Sequence, residues 1–378
     1  MKLIYCMASV HHPGGMERVL LNKFRWFVGQ GGYNLTLVTT DQQGRPPFYT
    51  FPPEVRMIDL DINYTADNDR PPLAKILNYF RKRRLHRKRL SALLMHEKAD
   101  IVVSLYPSES SFIPRIKDGS KKLLELHYNR YFRYQYNRSG LLGLADRFRS
   151  WQDLRIVRRF DRFVVLTRED AGYWGELPNL EVIPNAALAS PGQAADPAAS
   201  HRVIAVGRLD YQKGFDRLLD AWAKVSPGLR RTWRLVIFGQ GEWESTLARQ
   251  IEQLGISDSA AILPPTTAIF EEYAASALLV MSSHYEGFPM VMIEAMSCGL
   301  PVVSFDYPCG PKDIIRDGEN GLLVKDADIQ ALAKAMERIM SDDAFRIRMG
   351  ENARSISETY SEGSIMAQWT KCFHRLLS

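Results

Sequence analysis

KLIYCMASVHHPGGMERVLLNKFRWFVGQGGYNLTLVTT (Lys2–Thr40) reads as one strand–helix–strand unit. KLIYCM (Lys2–Met7) and NLTLVTT (Asn34–Thr40) are short apolar runs of strand length. Between them Val19, Leu20, Phe24 and Phe27 recur at helical spacing, and Gly31–Gly32 stops the helix. A helix joining two such strands makes them parallel neighbours. The alternation continues with a helix from near Leu73 and strands DIVVSL (Asp100–Leu105), KLLELH (Lys122–His127) and RFVVLT (Arg162–Thr167). ALASPGQAADPAAS (Ala187–Ser200), a long run of small, Pro, Gly and Ser residues, marks a domain boundary. The pattern then restarts: RVIAVG, a helix over Phe215–Lys224, RLVIFG, a helix over Glu242–Leu254, AILPP, ALLVMSS, a short helix from Pro289, PVVSFD and GLLVK. The expected fold is α/β, two doubly wound Rossmann-like domains over residues 1–184 and 185–360, with a last helix over 361–378. In such sheets ligands sit beyond the carboxyl ends of the strands, so an interdomain cleft is the expected working site.

The bulk properties are those of a globular protein. The chain has 378 residues, 46% hydrophobic and 24% charged, which excludes disordered, collagen-like and low-complexity classes. Cys6, Cys298, Cys309 and Cys372 lie far apart without C-x-x-C spacing, against a disulfide framework or a structural zinc site. The first residues lack a signal-peptide core, and no apolar run reaches the roughly 20 residues of a membrane span. A cytoplasmic protein is expected. Residues 1–184 carry a net charge of +11 and residues 185–378 of −5. The excess lies in RKRRLHRKR (Arg81–Arg89) and from Arg130 to Arg162. With Ile76, Leu77, Phe80, Leu90 and Leu93, the first of these runs makes an amphipathic basic helix that could dock on an anionic inner membrane face. A solvated helix face explains the same charges.

Candidate chemistry concentrates in the second half. Glu286-Gly-Phe-Pro-Met-Val-Met-Ile-Glu294 sets two glutamates around a helix start, followed by a stop at Gly299 and Pro301. Gly287, Phe288 and Pro289 lead into free first-turn amides able to hold a phosphate or a sugar hydroxyl. A carboxylate on each side can accept from a sugar and from a ribose diol. Val206-Gly207-Arg208-Leu-Asp-Tyr-Gln-Lys213-Gly214 places two cations beyond a strand end, suited to a diphosphate. Phe238-Gly239-Gln-Gly-Glu242 lacks the third glycine of a dinucleotide fingerprint and does not indicate NAD. In the first half, Gly14 and Gly15 permit close backbone approach at a helix start. Glu125-Leu-His127 ends a strand, and Asp59-Leu-Asp61 resembles a metal–nucleotide D-x-D at an unpromising place. P-loop, zincin and hydrolase motifs are missing from the sequence.

The E-G-F-P…E stretch and the order of the other motifs resemble glycosyltransferase family 4, retaining enzymes of the two-Rossmann-domain GT-B fold. The resemblance implies an N-terminal acceptor domain, a C-terminal nucleotide-sugar domain, and a final helix packing back toward the first. It implies that Arg208 and Lys213 bind the donor diphosphate and that His127 lies beside the donor sugar. Glu286 would then position the sugar, with Gly287 and Phe288, and Glu294 the ribose. Gly14, Gly15, Gly207, Gly239, Leu263 and Pro289 would line the donor, although Pro264-Pro265 stand where relatives often have glycine. The expected reaction moves a hexose or N-acetylhexosamine from a nucleotide diphosphate, taken to be UDP, to a glycan or polyprenyl-linked acceptor. Asp306-Tyr-Pro-Cys-Gly-Pro-Lys-Asp313 resembles members using UDP-linked galactose, N-acetylgalactosamine or glucose types. No cofactor or metal is expected, and no nucleic-acid partner. A UDP-sugar epimerase of the same fold, or a basic nucleic-acid-binding protein, is the competing reading.

Overall fold

The computed structural model describes residues 1–67, 69, 71–105, 108–134, 140–187 and 194–378. Two compact units divide the chain. The first comprises Met1–Leu166, Ala171–Ile183 and Met366–Ser378, and the second Thr167–Asp170 and Pro184–Ile365.

The first unit is built on strands β1 (Lys2–Met7), β2 (Asn34–Thr39), β3 (Arg56–Asp59), β4 (Ile101–Ser104), β5 (Lys121–Glu125), β6 (Arg162–Val165) and β7 (Leu180–Val182). They lie parallel in the order β3-β2-β1-β4-β5-β6-β7. The central strands are buried along nearly their whole length, as parallel strands covered on both faces must be. β3 and β7 escaped the sequence reading because each is short, half-exposed and at an edge. The helix Gly15–Gln30 buries Val19, Leu20, Phe24 and Phe27, and Lys23 with them. The helix Pro72–Glu97 buries Leu90 and Leu94 but leaves Leu73, Ile76, Leu77 and Phe80 exposed. Its His86 is buried between Tyr64 Oη, 3.2 Å away, and the ring of Phe112. Burial there holds the imidazole neutral, down at about 4.

The second unit carries β8 (Arg202–Val206), β9 (Arg234–Phe238), β10 (Ala260–Leu263), β11 (Leu278–Met281), β12 (Val302–Phe305) and β13 (Gly321–Val324). Their order is β10-β9-β8-β11-β12-β13, again parallel. The strand order reverses beside β8, first running to β9 and β10, then crossing to β11. That switch is where an open α/β sheet leaves a crevice at its strand ends. The helix Phe215–Lys224 follows β8 and buries Leu218, Leu219 and Trp222, whose indole N–H donates to Ser259 Oγ at 3.2 Å.

The expected linker is not a free connector. Residues 188–193 lie outside the described residues, but Ala195 is buried and donates its N–H to Cys298. The buried guanidinium of Arg346 donates to the Pro197 carbonyl at 2.9 Å. Small residues that read as a linker instead fit closely against helices of the second unit, and the division falls at Ile183–Pro184. Part of the basic stretch between Arg130 and Arg162, residues 135–139, also lies outside the described residues. Among the described residues the four cysteines are buried and joined in no disulfide, and no helix is long and apolar enough to cross a membrane.

Candidate active site

In the second unit the site is assembled at the carboxyl ends of β8, β9, β10 and β11. Gly207 follows β8, Gly239 follows β9, and the Gly239 N–H donates to the Leu263 carbonyl at 2.9 Å. A Cβ on Gly239 would lie 2.0 Å from the Gly207 carbonyl oxygen, so that approach requires glycine. A Cβ on Gly207 would come within 2.9 Å of the Lys213 stem. The missing side chain thus makes the groove along which the lysine runs. The single turn Tyr211–Lys213 is capped by the Asp210 carboxylate, which accepts from the Lys213 N–H. Gly214 ends it in the left-handed region at φ 59°, pressed against the Ser282 carbonyl.

These turns deliver charge to one point. Lys213 Nζ lies 2.6 Å from Glu286 Oε1, linking the two strongest motifs of the sequence. Ser283 Oγ donates to the same oxygen at 2.8 Å, and Gln212 Nε2 to the other at 3.2 Å. Gln212 Oε1 in turn accepts from Arg208 Nη2 at 2.8 Å. Arg208 remains largely exposed while pairing with Asp210 at 3.2 Å, whereas Glu286 is buried. One network therefore joins Arg208, Gln212, Lys213, Ser283 and Glu286.

Gly287, Phe288 and Pro289 lead into the helix Met290–Ser297, with Pro289 at its cap position and Phe288 buried. Pro289 packs on Gly310, whose φ of 132° and 2.4 Å clearance to the proline Cδ exclude any side chain. Glu294 sits on that helix, buried, and accepts from Tyr273 Oη at 3.4 Å.

The first unit holds a separate cluster. His127 Nε2 is 3.1 Å from Glu125 Oε1, and the same oxygen receives Lys23 Nζ at 2.6 Å. Lys23 also lies 3.6 Å from the centre of the Trp369 ring. Burial pushes the Glu125 carboxyl up, but Lys23 and His127 outweigh it and hold it down at about 2. The Glu17 carboxylate folds over Gly14, where a Cβ would lie 1.9 Å from it. Burial raises the Glu17 pKa, while His12 and His127 draw it down. Gly14, Glu17 and His127 are therefore near neighbours, while Gly15 begins the helix with open space around its Cα. Asp59 ends an edge strand and accepts from Thr39, as a structural residue would.

The family described as glycosyl transferases group 1 matches residues 192–356. The lipopolysaccharide core biosynthesis glycosyltransferase LpsE of Rhizobium meliloti is 30% identical over 283 residues, covering 72% of this chain and 76% of that protein. The chain belongs to the group 1 glycosyltransferases. An uncharacterized glycosyltransferase of Haemophilus influenzae is 28% identical over 97% of this group 1 chain and 98% of its own length. An exopolysaccharide phosphotransferase of Streptomyces coelicolor is 36% identical over 58% of this chain, which spans 24% of that longer protein. Among solved structures, that of TarM superposes with a TM-score of 0.81 at 16% identity, covering 98% of both chains. The HepE protein of Anabaena, crystallised with UDP and glucose, gives 0.73 at 17% identity, covering 99% of this chain and 100% of that one. The GT-B fold is thereby established, and the group 1 match encloses every second-unit residue of the network.

Several members of these clusters were passed over in the sequence. Gln212 stood inside a quoted motif without a role, and Ser283 lies three residues before Glu286. Lys23 carried the clearest overlooked signal, a charge set between Leu20, Phe24 and Phe27 on a buried helical stripe. A buried lysine demands a partner, and Glu125 supplies it.

Proposed function

We propose that this glycosyltransferase moves a hexose or N-acetylhexosamine from UDP to a hydroxyl of a glycan or lipid-linked acceptor, with retention at the anomeric carbon and without a metal ion. The Lys213–Glu286 contact carries the reading, because it sets a diphosphate-binding cation beside a sugar-binding carboxylate. An ammonium has three donors, so one spent on Glu286 leaves two for phosphate oxygens. Arg208, exposed at the same turn, adds a planar fork. In the reaction the bond from C1 to the diphosphate oxygen breaks and C1 bonds to the acceptor oxygen on the same face. The acceptor proton passes to the departing phosphate, and Arg208 and Lys213 offset the negative charge that builds there. Glu286 accepts from sugar hydroxyls, the N–H groups of Gly287 and Phe288 donate to them, and Glu294 is assigned to the ribose. The first unit is assigned the acceptor, and His127, oriented by Glu125, keeps the donor-sugar role that the resemblance implies. The names of LpsE and of the polysaccharide-related relatives support surface glycan assembly as the setting. The UDP complexes of HepE support the base.

A panel of nucleotide sugars tests this by thermal shift, since a ligand that binds only the folded state raises Tm. UDP-linked sugars should raise it more than GDP- or ADP-linked ones, and Arg208→Ala should cost about 3 kcal/mol or more in kcat/KM. Equal shifts across the panel, or near-normal turnover of that variant, would refute the donor assignment.

A further inference from the structure

The first unit contains a cavity of about 770 Å³ that the donor chemistry leaves unused. Six arginines line it: Arg83, Arg84 and Arg87 from the helix Pro72–Glu97, Arg115 from the short turn after β4, and Arg155 and Arg159 from the end of the helix Gly140–Val157 and just beyond. Among the described residues none of the six is ion-paired to an aspartate or glutamate. Arg83 donates to Ser111 Oγ at 2.8 Å, and the Arg155 guanidinium lies 3.7 Å from the Trp151 ring. Five of the six are exposed and Arg83 is half-buried, so the open hollow concentrates positive potential that a multiply charged anion lowers. Guanidinium forks match phosphate oxygens in pairs, so six serve more than one phosphate group. The volume is that of a whole small-molecule ligand.

The walls also have an apolar side. Leu73, Leu77 and Phe80 on one helix, and Leu144, Phe148 and Trp151 on the other, are exposed at helical spacing. Each row ends at the cavity, with Phe80 and Trp151 in its lining. We propose that this cavity is a binding site for a multiply phosphorylated ligand, its phosphates on the arginines and its remainder against Phe80 and Trp151. The site needs neither Arg208 nor Lys213, and it stands whether or not UDP is the donor. Such phosphates could be carried by a soluble molecule or by a lipid.

Calorimetric titration of the full chain with inorganic tripolyphosphate and, separately, with monomeric farnesyl diphosphate tests the site. At least one should bind, and binding should weaken about tenfold or more in the Arg87→Glu/Arg155→Glu variant. A clear preference for farnesyl diphosphate supports a lipid-carried source, and equal or tighter tripolyphosphate binding a soluble one. An unchanged Tm shows that the variant folds, and Arg84→Gln/Arg115→Gln supplies a milder pair should it not. No binding of either anion, or equal binding by wild type and a folded variant, would overturn the proposal.

Discussion

Lys213 and Glu286 are 73 positions apart in sequence and 2.6 Å apart in space. Their pairing gives the residue-scale expectation its form. Glu286→Gln keeps an acceptor for Lys213 and Ser283 but removes the charge. Turnover should therefore fall on the order of a hundredfold while Tm barely moves. A variant that keeps its turnover would show that the carboxylate does not serve the sugar. Lys23 asks the opposite question, because it is fully buried against Glu125. Lys23→Ala leaves the buried Glu125 carboxylate with His127 as its one remaining named partner and should cost about 3 kcal/mol of stability, readable by chemical denaturation. Glu109 is a third case. Its burial lifts the carboxyl to about 7, against the pull of Ser104 Oγ, 2.6 Å away, and of its own backbone. A pKa raised in the fold makes stability complete below the unfolded value of about 4.5 and loses it as pH rises through about 7. Replacement by Gln should flatten the dependence of Tm on pH across that window. An unchanged slope would show that Glu109 is not its source.

At the scale of elements, the turns after strands do the positioning. Gly239→Ala would drive a Cβ into the Gly207 carbonyl, with no flexible side chain to yield. A stability loss of about 2 kcal/mol or more is expected, together with weaker UDP binding, because the β8 and β9 ends must part. Calorimetry showing wild-type Tm would contradict this close approach. The same elements show what was legible in the sequence. Buried strands such as β1 and β12 announce themselves because burial on both faces demands continuous apolar runs. The helix Met290–Ser297 was legible from its proline entry and glycine exit. The edge strands β3 and β7 were not, since half-exposed short segments carry no strong pattern. Residues 194–200 misled because small residues suit a tight packing contact as well as a linker. In the site, Arg208, Lys213 and Glu286 could be picked out by type and motif. The link through Gln212 and Ser283 depends on turn geometry that no spacing rule supplies.

For the molecule as a whole, two parallel sheets with the same central strand order carry two different chemistries. The second unit gathers its charges at the switch beside β8, and the first buries a lysine–glutamate–histidine cluster and opens an arginine-walled cavity. The basic excess of residues 1–184 is partly accounted for by that cavity, a concave feature that a linear run of charges does not reveal. The most direct check of the account is titration calorimetry of UDP in a chelator such as EDTA, against wild type and Lys213→Ala. Wild type should bind without any divalent ion, and the variant should lose about tenfold or more in affinity. Binding that appears only when manganese is added, or that is equal in both proteins, would contradict it.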